Sequence, residues 1–347
     1  MRTIRVLVVE DSLTVRRRLC EVLSADREIV IVAEAEDGKR AIELCQQLRP
    51  DVVTMDMMLP VMSGLAATEY IMAHCPTPIL VVSSSMNRGE LFKTYEALAA
   101  GAVDVLDKSG DEHPDGGWEQ KLVTAVKRLS RIKVITHPRA RLAELGRGRT
   151  AASPAERRCA VIAIGASTGG PGAIVEVLRA LPEDFLTPIL LVLHISEPFG
   201  SAFAEWLDGQ TGRRVSYPRD GEPLSSGAGR VIMAPPDRHL VVRAGRLWLT
   251  LEPEKNSCRP SVDVLFESVA RECGAAATGC LLTGMGKDGA LAMLEMKRAG
   301  AYNFAQDEAS CVVFGMPREA IALGAVDEVV LLAKMAERVL ARLAMAR

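Results

Sequence analysis

Residues 4–12 read Ile-Arg-Val-Leu-Val-Val-Glu-Asp-Ser, a short apolar run followed at once by two acids. This run is the first of five that recur through the first 130 residues, each rich in Val, Ile and Leu. They are Val6–Val9, Ile29–Ala33, Val52–Met55, Ile79–Val82 and Val103–Leu106. Runs that do not alternate apolar and polar residues are typical of parallel strands buried on both faces.

Helical patterns separate these predicted strands. Residues Lys39–Leu48 follow an Asp37-Gly38 start, and Gly89–Ala100 ends at Gly101, which are common helix boundaries. Strands and helices that alternate five times predict a doubly wound (βα)5 sheet of the flavodoxin-like type. We therefore predict an α/β domain over residues 1–130.

Residues 159–347 predict a second α/β domain with a mostly parallel sheet. Buried-strand runs again alternate with helical patterns in this part of the chain. The predicted strands are Cys159–Ile164, Ile189–Leu193 and Cys280–Thr283, and the predicted helices are Pro171–Leu181, Gly200–Asp208 and Ala290–Ala299. Shorter strand-like runs, among them Arg230–Met233 and His239–Arg243, lie in a stretch richer in Gly and Pro.

The distribution of charge marks a linker between the two domains. The chain has 347 residues and a net charge of −2, and that length favours two domains. Residues 131–158 contain eight Lys and Arg against two acids, a net charge of +6, with scattered Gly, Pro and Ser. We interpret this stretch as a basic, flexible linker. The balanced charge elsewhere argues against a nucleic-acid partner.

The cysteines and the hydropathy pattern indicate a cytoplasmic protein. None of the eight cysteines forms a CxxC pair, and most lie in apolar stretches, so buried reduced thiols are favoured over disulfides or zinc ligands. No apolar run approaches the ~18 residues that a membrane helix needs. The N-terminus lacks the pattern of a signal peptide. We therefore expect no membrane insertion.

Polar residues follow four strands of the first predicted sheet, where ligands bind in such folds. They are Glu10, Asp11, Asp56, Ser83 and Lys108. Three carboxylates at one edge repel one another unless a cation such as Mg²⁺ lies among them. A carboxylate beside Mg²⁺ and a lysine can accept a phosphoryl group, to which a serine can donate a hydrogen bond. Alternatively, the two acids after the first strand are helix caps and the lysine is a surface charge.

The second domain carries a candidate nucleophile in a glycine-rich turn. Residues 165–169 read Gly-Ala-Ser-Thr-Gly between a strand and a helix, which fits a nucleophile elbow with Ser167 at its centre. A phosphate-binding turn has the same glycine-rich sequence before a helix and is the alternative.

Of the five histidines, His194 directly follows a buried strand and is the candidate base, although a structural role is also open. His239 lies in a turn-like context and is better explained as a structural or surface residue.

The candidate acid is Asp288, in the segment Leu-Thr-Gly-Met-Gly-Lys-Asp-Gly of residues 282–289. Its alternative role is to cap the following helix. Asp263 is a rival acid, but its position looks like the start of a helix. The Gly284–Gly286 turn could present backbone N–H groups to an oxyanion. The order Ser, His, Asp differs from that of α/β-hydrolases, which predicts a different fold with the same constellation.

The first 130 residues resemble a response-regulator receiver domain. The similarity is carried by V-V-E-D-S, D-M-M-L-P-V-M-S-G, P-I-L-V-V-S-S and G-A-V-D-V-L-D-K. The resemblance implies that Asp56 is the phosphorylated residue and that Glu10, Asp11 and Asp56 hold Mg²⁺. It also implies that Ser83 and Lys108 contact the phosphoryl group.

With its second domain included, the chain resembles the chemotaxis protein-glutamate methylesterase and glutamine deamidase family. The motifs are G-A-S-T-G-G, A-P-P-D-R-H-L, R-P-S-V-D-V-L-F-E-S-V-A, L-L-T-G-M-G-K-D-G-A and F-G-M-P-R-E-A. The resemblance implies that Ser167 is the nucleophile, His194 the general base and acid, and Asp288 the orienting acid. Thr168 and the backbone around Met285 would help to form the oxyanion site.

The same resemblance implies partners and a mode of control. The substrates would be methyl-accepting chemoreceptors, and a sensor histidine kinase would be the phosphodonor. The unphosphorylated receiver would cover the catalytic cleft, and no cofactor would take part in hydrolysis. Two alternatives stay open: a phosphorylation-dependent binding module with an inactive second domain, and a DNA-binding response regulator. The second is disfavoured by the net charge of residues 159–347, which have 19 basic and 22 acidic residues and hence −3.

Overall fold

The computed structural model describes residues 3–83, 88–108, 117–132, 134, 161–195 and 199–345. They belong to two compact units, Met1–Glu144 and Leu145–Arg347. Each unit is an α/β domain, which confirms the predicted fold class. The predicted domain limits and the basic linker stay predictions, since most of residues 131–158 lie outside the described part of the chain.

The strands of the first unit form one parallel sheet. They are β1 (Ile4–Val9), β2 (Ile29–Ala35), β3 (Val52–Met55), β4 (Ile79–Ser83) and β5 (Asp104–Asp107). Their order in the sheet is β2-β1-β3-β4-β5. All five strands occur where the sequence predicts them, and β5 is displaced by one residue. The strand order reverses beside β1, and a ligand-binding crevice is expected at that position.

Five helices connect these strands. They are α1 (Leu13–Ser24), α2 (Gly38–Leu48), α3 (Gly64–His74), α4 (Arg88–Ala99) and α5 (Gly117–Leu129). Helix α2 begins one residue before the predicted Lys39, and Asp37 caps it, because the Asp37 carboxylate accepts a hydrogen bond from the Arg40 N–H. It ends at Arg49, which has a left-handed backbone with φ of 49°. Helix α4 lies one residue earlier than predicted at both ends.

The core of the first unit explains why its polar groups collect at one edge. Strands β3 and β4 are buried along their whole length, as are Val6–Val9 of β1. Apolar side chains of these strands pack against α2 and α3, for example Val53 against the cluster that contains Ala41 and Ile71. Burial of each such aliphatic side chain contributes roughly 1.5–3 kcal/mol. Reactive polar groups are therefore best accommodated where the strands end.

The second unit contains two sheets. Its strands are β6 (Val161–Ala166), β7 (Ile189–Leu193), β8 (Arg214–Ser216), β9 (Glu222–Pro223), β10 (Arg230–Met233), β11 (His239–Arg243), β12 (Arg246–Thr250), β13 (Ala277–Leu281), β14 (Tyr302–Gln306) and β15 (Glu328–Val330). Seven of them form a parallel sheet in the order β15-β14-β13-β6-β7-β10-β8. The other three form a separate antiparallel sheet, β11-β12-β9, which the sequence pattern does not predict.

The helices of the second unit differ from their predicted bounds by up to three residues. They are α6 (Gly170–Ala180), α7 (Phe203–Thr211), α8 (Val262–Cys273), α9 (Ala290–Arg298), α10 (Met316–Ala322) and α11 (Leu332–Met345). Helix α7 lies three residues later than predicted and ends where Gly212, with φ of 63°, donates its N–H to the Asp208 carbonyl. Helix α6 ends before Leu181, which is extended because a proline follows it. No helix in the described ranges is long and apolar enough to cross a bilayer.

Candidate functional sites

The acidic residues predicted in the first unit lie together at the carboxyl edge of its sheet. Glu10 follows β1 and Asp56 follows the neighbouring β3, and the Asp56 N–H donates to the Val9 carbonyl at 3.0 Å. One carboxylate oxygen from each of Glu10, Asp11 and Asp56 lies within 4.8 Å of the others. Glu10 and Asp56 are buried, whereas Asp11 is exposed. The cluster therefore opens to solvent on the side of Asp11.

Lys108 supplies the positive charge in this cluster. Its Nζ lies 2.7 Å from Glu10 Oε2 and 2.9 Å from Asp56 Oδ1. Burial alone would lower the pKa of Lys108, but the two carboxylates outweigh it and raise this pKa. Burial raises the pKa of Glu10, and Lys108 offsets this only in part. Three carboxylates against one ammonium leave an excess of negative charge, so the oxygen donors fit a hard divalent cation such as Mg²⁺.

Ser83 completes this edge. It ends β4, is fully buried, and its Oγ has no hydrogen-bond partner among the described residues. The Lys108 N–H donates to the Ser83 carbonyl, which keeps the two residues adjacent. A buried hydroxyl without a partner costs about 1–3 kcal/mol. An incoming phosphoryl oxygen could accept from this hydroxyl and remove that cost.

The two acids after β1 do not cap α1 in the way that the alternative requires. The N-cap of α1 is Ser12, whose side chain makes no capping hydrogen bond. Glu10 Oε1 accepts from the Ser12 N–H at 3.2 Å, while its other oxygen contacts Lys108. Glu10 thus steadies the turn and also belongs to the acidic cluster.

Gly64 fixes the backbone at Asp56. A Cβ at Gly64 would lie 1.8 Å from the Asp56 carbonyl oxygen, so a larger residue forces this backbone to move. We expect Gly64→Ala to lower the free energy of unfolding of the first unit by about 1–3 kcal/mol. Urea unfolding of the full chain measures this change. Gly117→Ala is the matched control, because the added methyl has no described atom within 4 Å apart from the adjoining backbone of its own helix. Equal stability of the two variants would contradict the prediction.

The second site lies where three adjacent strands of the large sheet end. Ala166 of β6 pairs with Leu193 of β7, so the next residues, Ser167 and His194, emerge side by side. The His194 N–H donates to the Ala166 carbonyl at 3.0 Å, and the Ser167 N–H donates to the Thr283 carbonyl at 3.0 Å. Because β6, β7 and β13 are parallel neighbours, the two residues and the turn after β13 share one edge.

The turn that carries Ser167 is a strand-to-helix turn, as predicted. Gly169 has φ of 78°, and a Cβ there would lie 2.5 Å from Val312 Cβ, so this position requires glycine. Helix α6 begins at Gly170, with Pro171 in its first turn. Ser167 therefore lies just before the N-terminus of a helix, where the backbone favours negative charge.

His194 and Asp288 form the most direct side-chain pair of this site. His194 Nε2 lies 2.8 Å from Asp288 Oδ2. An ionised carboxylate can only accept here, so Nε2 carries the proton and Nδ1 holds the lone pair of the neutral ring. The two side chains are 16% and 3% exposed, respectively. The pair is therefore shielded from water, and Nδ1 is the nitrogen that can take up a proton.

Four further donors hold the Asp288 carboxylate. Oδ1 accepts from Ser261 Oγ at 2.7 Å and Asn256 Nδ2 at 2.9 Å. The N–H groups of Val262 and Asp263, in the first turn of α8, donate at 2.6 and 3.2 Å. Burial raises the pKa of Asp288, but the hydrogen bonds from His194, Ser261 and Asn256 outweigh it and lower this pKa. Asp288 therefore stays ionised.

The alternative role of Asp288, as the cap of the following helix, is wrong. The N-cap of α9 is Gly289, which has φ of 87° and no side-chain hydrogen bond. Asp288 instead accepts from the N-terminus of α8, which precedes it by 26 residues in the sequence. The helix that this carboxylate stabilises is thus a neighbour in space rather than the next one in the chain.

Both ring nitrogens of His194 have partners. Nδ1 lies 3.7 Å from Cys258 Sγ, and the described residues show no hydrogen bond between this ring and Ser167. Burial alone would lower the pKa of His194, but Asp288 and Cys258 outweigh it and raise this pKa to about 9. The raised pKa favours the protonated ring, and the neutral form is the one that can accept a proton.

A model of the CheB methylesterase family matches residues 162–339, about half of the chain, and a model of response regulator receiver domains matches residues 6–114. The chain belongs to the CheB methylesterase family. It is therefore an enzyme, a carboxylic ester hydrolase that carries a receiver domain.

Relatives from this family match over almost the whole chain. A protein from Anaeromyxobacter dehalogenans, named protein-glutamate methylesterase/protein-glutamine glutaminase 2, is 43% identical and covers 94% of each chain. A relative from Nitrosospira multiformis with the same activity name is 42% identical and covers 96% of this chain and 95% of its own. The crystal structure of the Thermotoga maritima CheB methylesterase catalytic domain is 33% identical, with a TM-score of 0.50. It covers 52% of this chain and 97% of that one.

The glycine turn after β13 has fewer backbone N–H groups available for an oxyanion than the sequence suggests. The Gly284 N–H already donates to the Val313 carbonyl, and the Gly284 carbonyl accepts from Gly315 and Met316. Met285, in contrast, is 43% exposed at this edge. Thr168 and the backbone around Met285 stay predictions for the oxyanion site.

The rival residues have structural partners in this member of the CheB methylesterase family. Asp263 accepts from the Ala292 N–H and from Asn256, and neither contact involves His194. His239 is fully buried, and its Nδ1 accepts from the Ser261 N–H. Three residues that contact the pair were not predicted from the sequence. Asn256 and Ser261 donate to Asp288, and Cys258 contacts His194. Of these, Ser261 lies in a motif on which the resemblance depends.

Proposed function

We propose that this chain is a cytoplasmic, phosphorylation-activated methylesterase that acts on methyl-accepting chemoreceptors. It hydrolyses glutamate methyl esters on their cytoplasmic helices and deamidates glutamines there. The pair formed by His194 and Asp288 at 2.8 Å, beside the turn of Ser167, carries the proposal. The activity names of the relatives support the two substrate groups.

In the proposed mechanism Asp288 keeps the proton on His194 Nε2, and Nδ1 takes the proton of the Ser167 hydroxyl. The serine oxygen attacks the side-chain carbonyl carbon and forms a C–O bond, while the carbonyl oxygen becomes an oxyanion. The N–H groups of Thr168 and Met285 stabilise this charge. His194 then protonates the leaving oxygen, and methanol departs from the acyl-enzyme.

Water completes the cycle. His194 takes a proton from water, whose oxygen attacks the acyl carbon, and the bond to Ser167 breaks as the serine regains its proton. Deamidation follows the same steps with ammonia as the leaving group. These steps require no cofactor.

The receiver supplies the control in this proposal. Asp56 accepts a phosphoryl group from a sensor histidine kinase, while Ser83 and Lys108 contact the transferred group. Glu10, Asp11 and Asp56 would hold Mg²⁺, which neutralises charge on the phosphoryl oxygens. The buried Ser83 hydroxyl without a partner and the excess of carboxylates support these assignments. Neither nucleic acid nor membrane insertion has a part in this function.

Methanol release from methylated receptor fragments tests the proposal. We expect the full chain to release methanol, and a small-molecule phosphodonor with Mg²⁺ to raise the rate about 5–150-fold, the usual range of an allosteric coupling. Asp56→Asn replaces the attacking carboxylate by a neutral amide and should keep the basal rate with a stimulation ratio near one.

The control for this experiment is Asp26→Asn, which removes another carboxylate of the first unit and should leave the stimulation unchanged. Stimulation of Asp56→Asn by the phosphodonor would show that Asp56 is not the switch. Failure to release methanol with or without phosphodonor, in a folded chain, would favour a binding module with an inactive second domain.

A further inference from the structure

The proposed reaction does not use Cys258, although this cysteine contacts the catalytic histidine. Cys258 is a free, half-buried thiol. It closes a tight turn in which the N–H and carbonyl groups of Lys255 and Cys258 exchange two hydrogen bonds, and Asn256 and Ser257 have φ of 53° and 58°. This turn directs two side chains at the site, because Asn256 holds Asp288 while Cys258 lies against His194.

The separation of the two donor atoms matches a metal ligand pair. Bonds of about 2.0–2.1 Å to nitrogen and 2.3 Å to sulfur at a tetrahedral Zn²⁺ place the two ligand atoms about 3.6 Å apart. His194 Nδ1 and Cys258 Sγ are 3.7 Å apart. Imidazole nitrogen and thiolate sulfur are also the donors that zinc prefers over harder cations.

Asp288 fits the outer shell of such a site. A histidine bound to zinc almost always donates its other N–H to a carboxylate, a backbone carbonyl or water, and this contact orients the ring and raises its basicity. His194 donates Nε2–H to Asp288 in this way. Ligand atoms of His194, Cys258 and Asp288 also lie within 4.8 Å of one another. The arrangement thus has two ligands, a supporting carboxylate and partial exposure for entry of the ion.

We propose that Zn²⁺, or a similar thiophilic divalent cation, binds between His194 Nδ1 and Cys258 Sγ. The Cys258 thiol and the protonated Nδ1 of His194 each give a proton to solvent as the two bonds to the metal form, and water occupies the remaining positions. This differs from the sequence-based expectation that the cysteines are only buried reduced thiols. The inhibitory consequence rests on the proposed function: a metal on Nδ1 occupies the lone pair that accepts the proton of Ser167.

Cobalt(II) titration of the full chain tests the binding itself. Excess Mg²⁺ is present to fill the acidic cluster of the first unit. We expect a thiolate-to-cobalt charge-transfer band that Zn²⁺ bleaches. Cys258→Ser should abolish the band, whereas Cys20→Ser, which changes another half-buried thiol, should keep it. Absence of the band in the wild type, or its persistence in Cys258→Ser, would overturn the proposal.

A second variant tests whether His194 is a ligand of the metal ion. His194→Gln keeps the thiol and should weaken cobalt binding at least tenfold, with circular dichroism to establish that the variants are folded. Cobalt binding equal to that of the wild type would remove His194 from the site.

Methanol release then separates the metal site from the proposed mechanism. Zinc should inhibit the wild type and a chelator should restore it, and Cys258→Ser should require at least tenfold more zinc for half-inhibition. If zinc binds with the expected spectroscopic signature but does not inhibit, the site stands and the role of Nδ1 as the base is wrong.

Discussion

Replacement of Ser167 by Ala is expected to lower kcat for methanol release by roughly 10⁴–10⁶-fold, as loss of a serine nucleophile does in other hydrolases. The reason is chemical, since alanine has no oxygen to form the acyl-enzyme. The backbone should keep its course, because the Ser167 N–H and carbonyl make their hydrogen bonds to Thr283 and Gly170 without the side chain. Single-turnover methanol release measures the loss, and urea unfolding should detect no large change in stability.

Ser225→Ala is the matched control, because Ser225 is an exposed serine of the same unit. It should retain wild-type activity. If Ser167→Ala kept more than a tenth of the wild-type rate, the nucleophile would lie elsewhere. Cys258, which contacts His194, would then be the first residue to replace.

Replacement of Asp288 by Asn is expected to lower kcat by roughly 10³–10⁴-fold, because the amide no longer fixes the tautomer of His194. It should also change the pH dependence. In the wild type the raised pKa of His194, about 9, places the acid limb of the activity profile on the alkaline side of neutrality. Loss of the carboxylate lowers this pKa, so the limb should move to lower pH. A pH profile of kcat/KM measures the shift.

The pH dependence of the free energy of unfolding provides a second measurement of the contact between His194 and Asp288. Because the folded pKa of His194 lies above its ordinary value of 6.5, its stabilising contribution is complete below that value and is lost as pH rises through about 9. The wild type should lose this part of its free energy of unfolding between those two pH values, and Asp288→Asn should not. Asp184→Asn, which changes an exposed acid, is the control. An acid limb that stays in place in Asp288→Asn would contradict the assignment.

The sequence was sufficient to predict the elements that place each candidate residue. Buried parallel strands have continuous apolar runs, and the residue after each run must lie at the carboxyl edge. Asp56 is placed after β3 in this way, Ser167 after β6 and His194 after β7. This reasoning works because strand burial is a local property of composition, and the edge follows from parallel topology.

The partners of those residues could not be predicted in the same way. The hydrogen bond between His194 and Asp288 spans 94 residues, and that between Cys258 and His194 spans 64. Such contacts depend on which strands are neighbours in the sheet and on turns with positive φ at residues such as Asn256. The interpretation of Asp288 as the cap of α9 failed for the same reason. The preference of Asp for helix N-termini does not say which helix the side chain will contact.

The attachment of Asp288 to the first turn of α8 has a consequence for the dynamics of the site. The apolar face of α8, with Val262, Leu265, Phe266 and Val269, belongs to the main core of the second unit. Opening the first turn of this helix therefore exposes part of that core, so we expect this turn to open less readily than a helix end that lies on the surface. The orientation of His194, which Asp288 fixes, thus depends on the packing of α8 in this core.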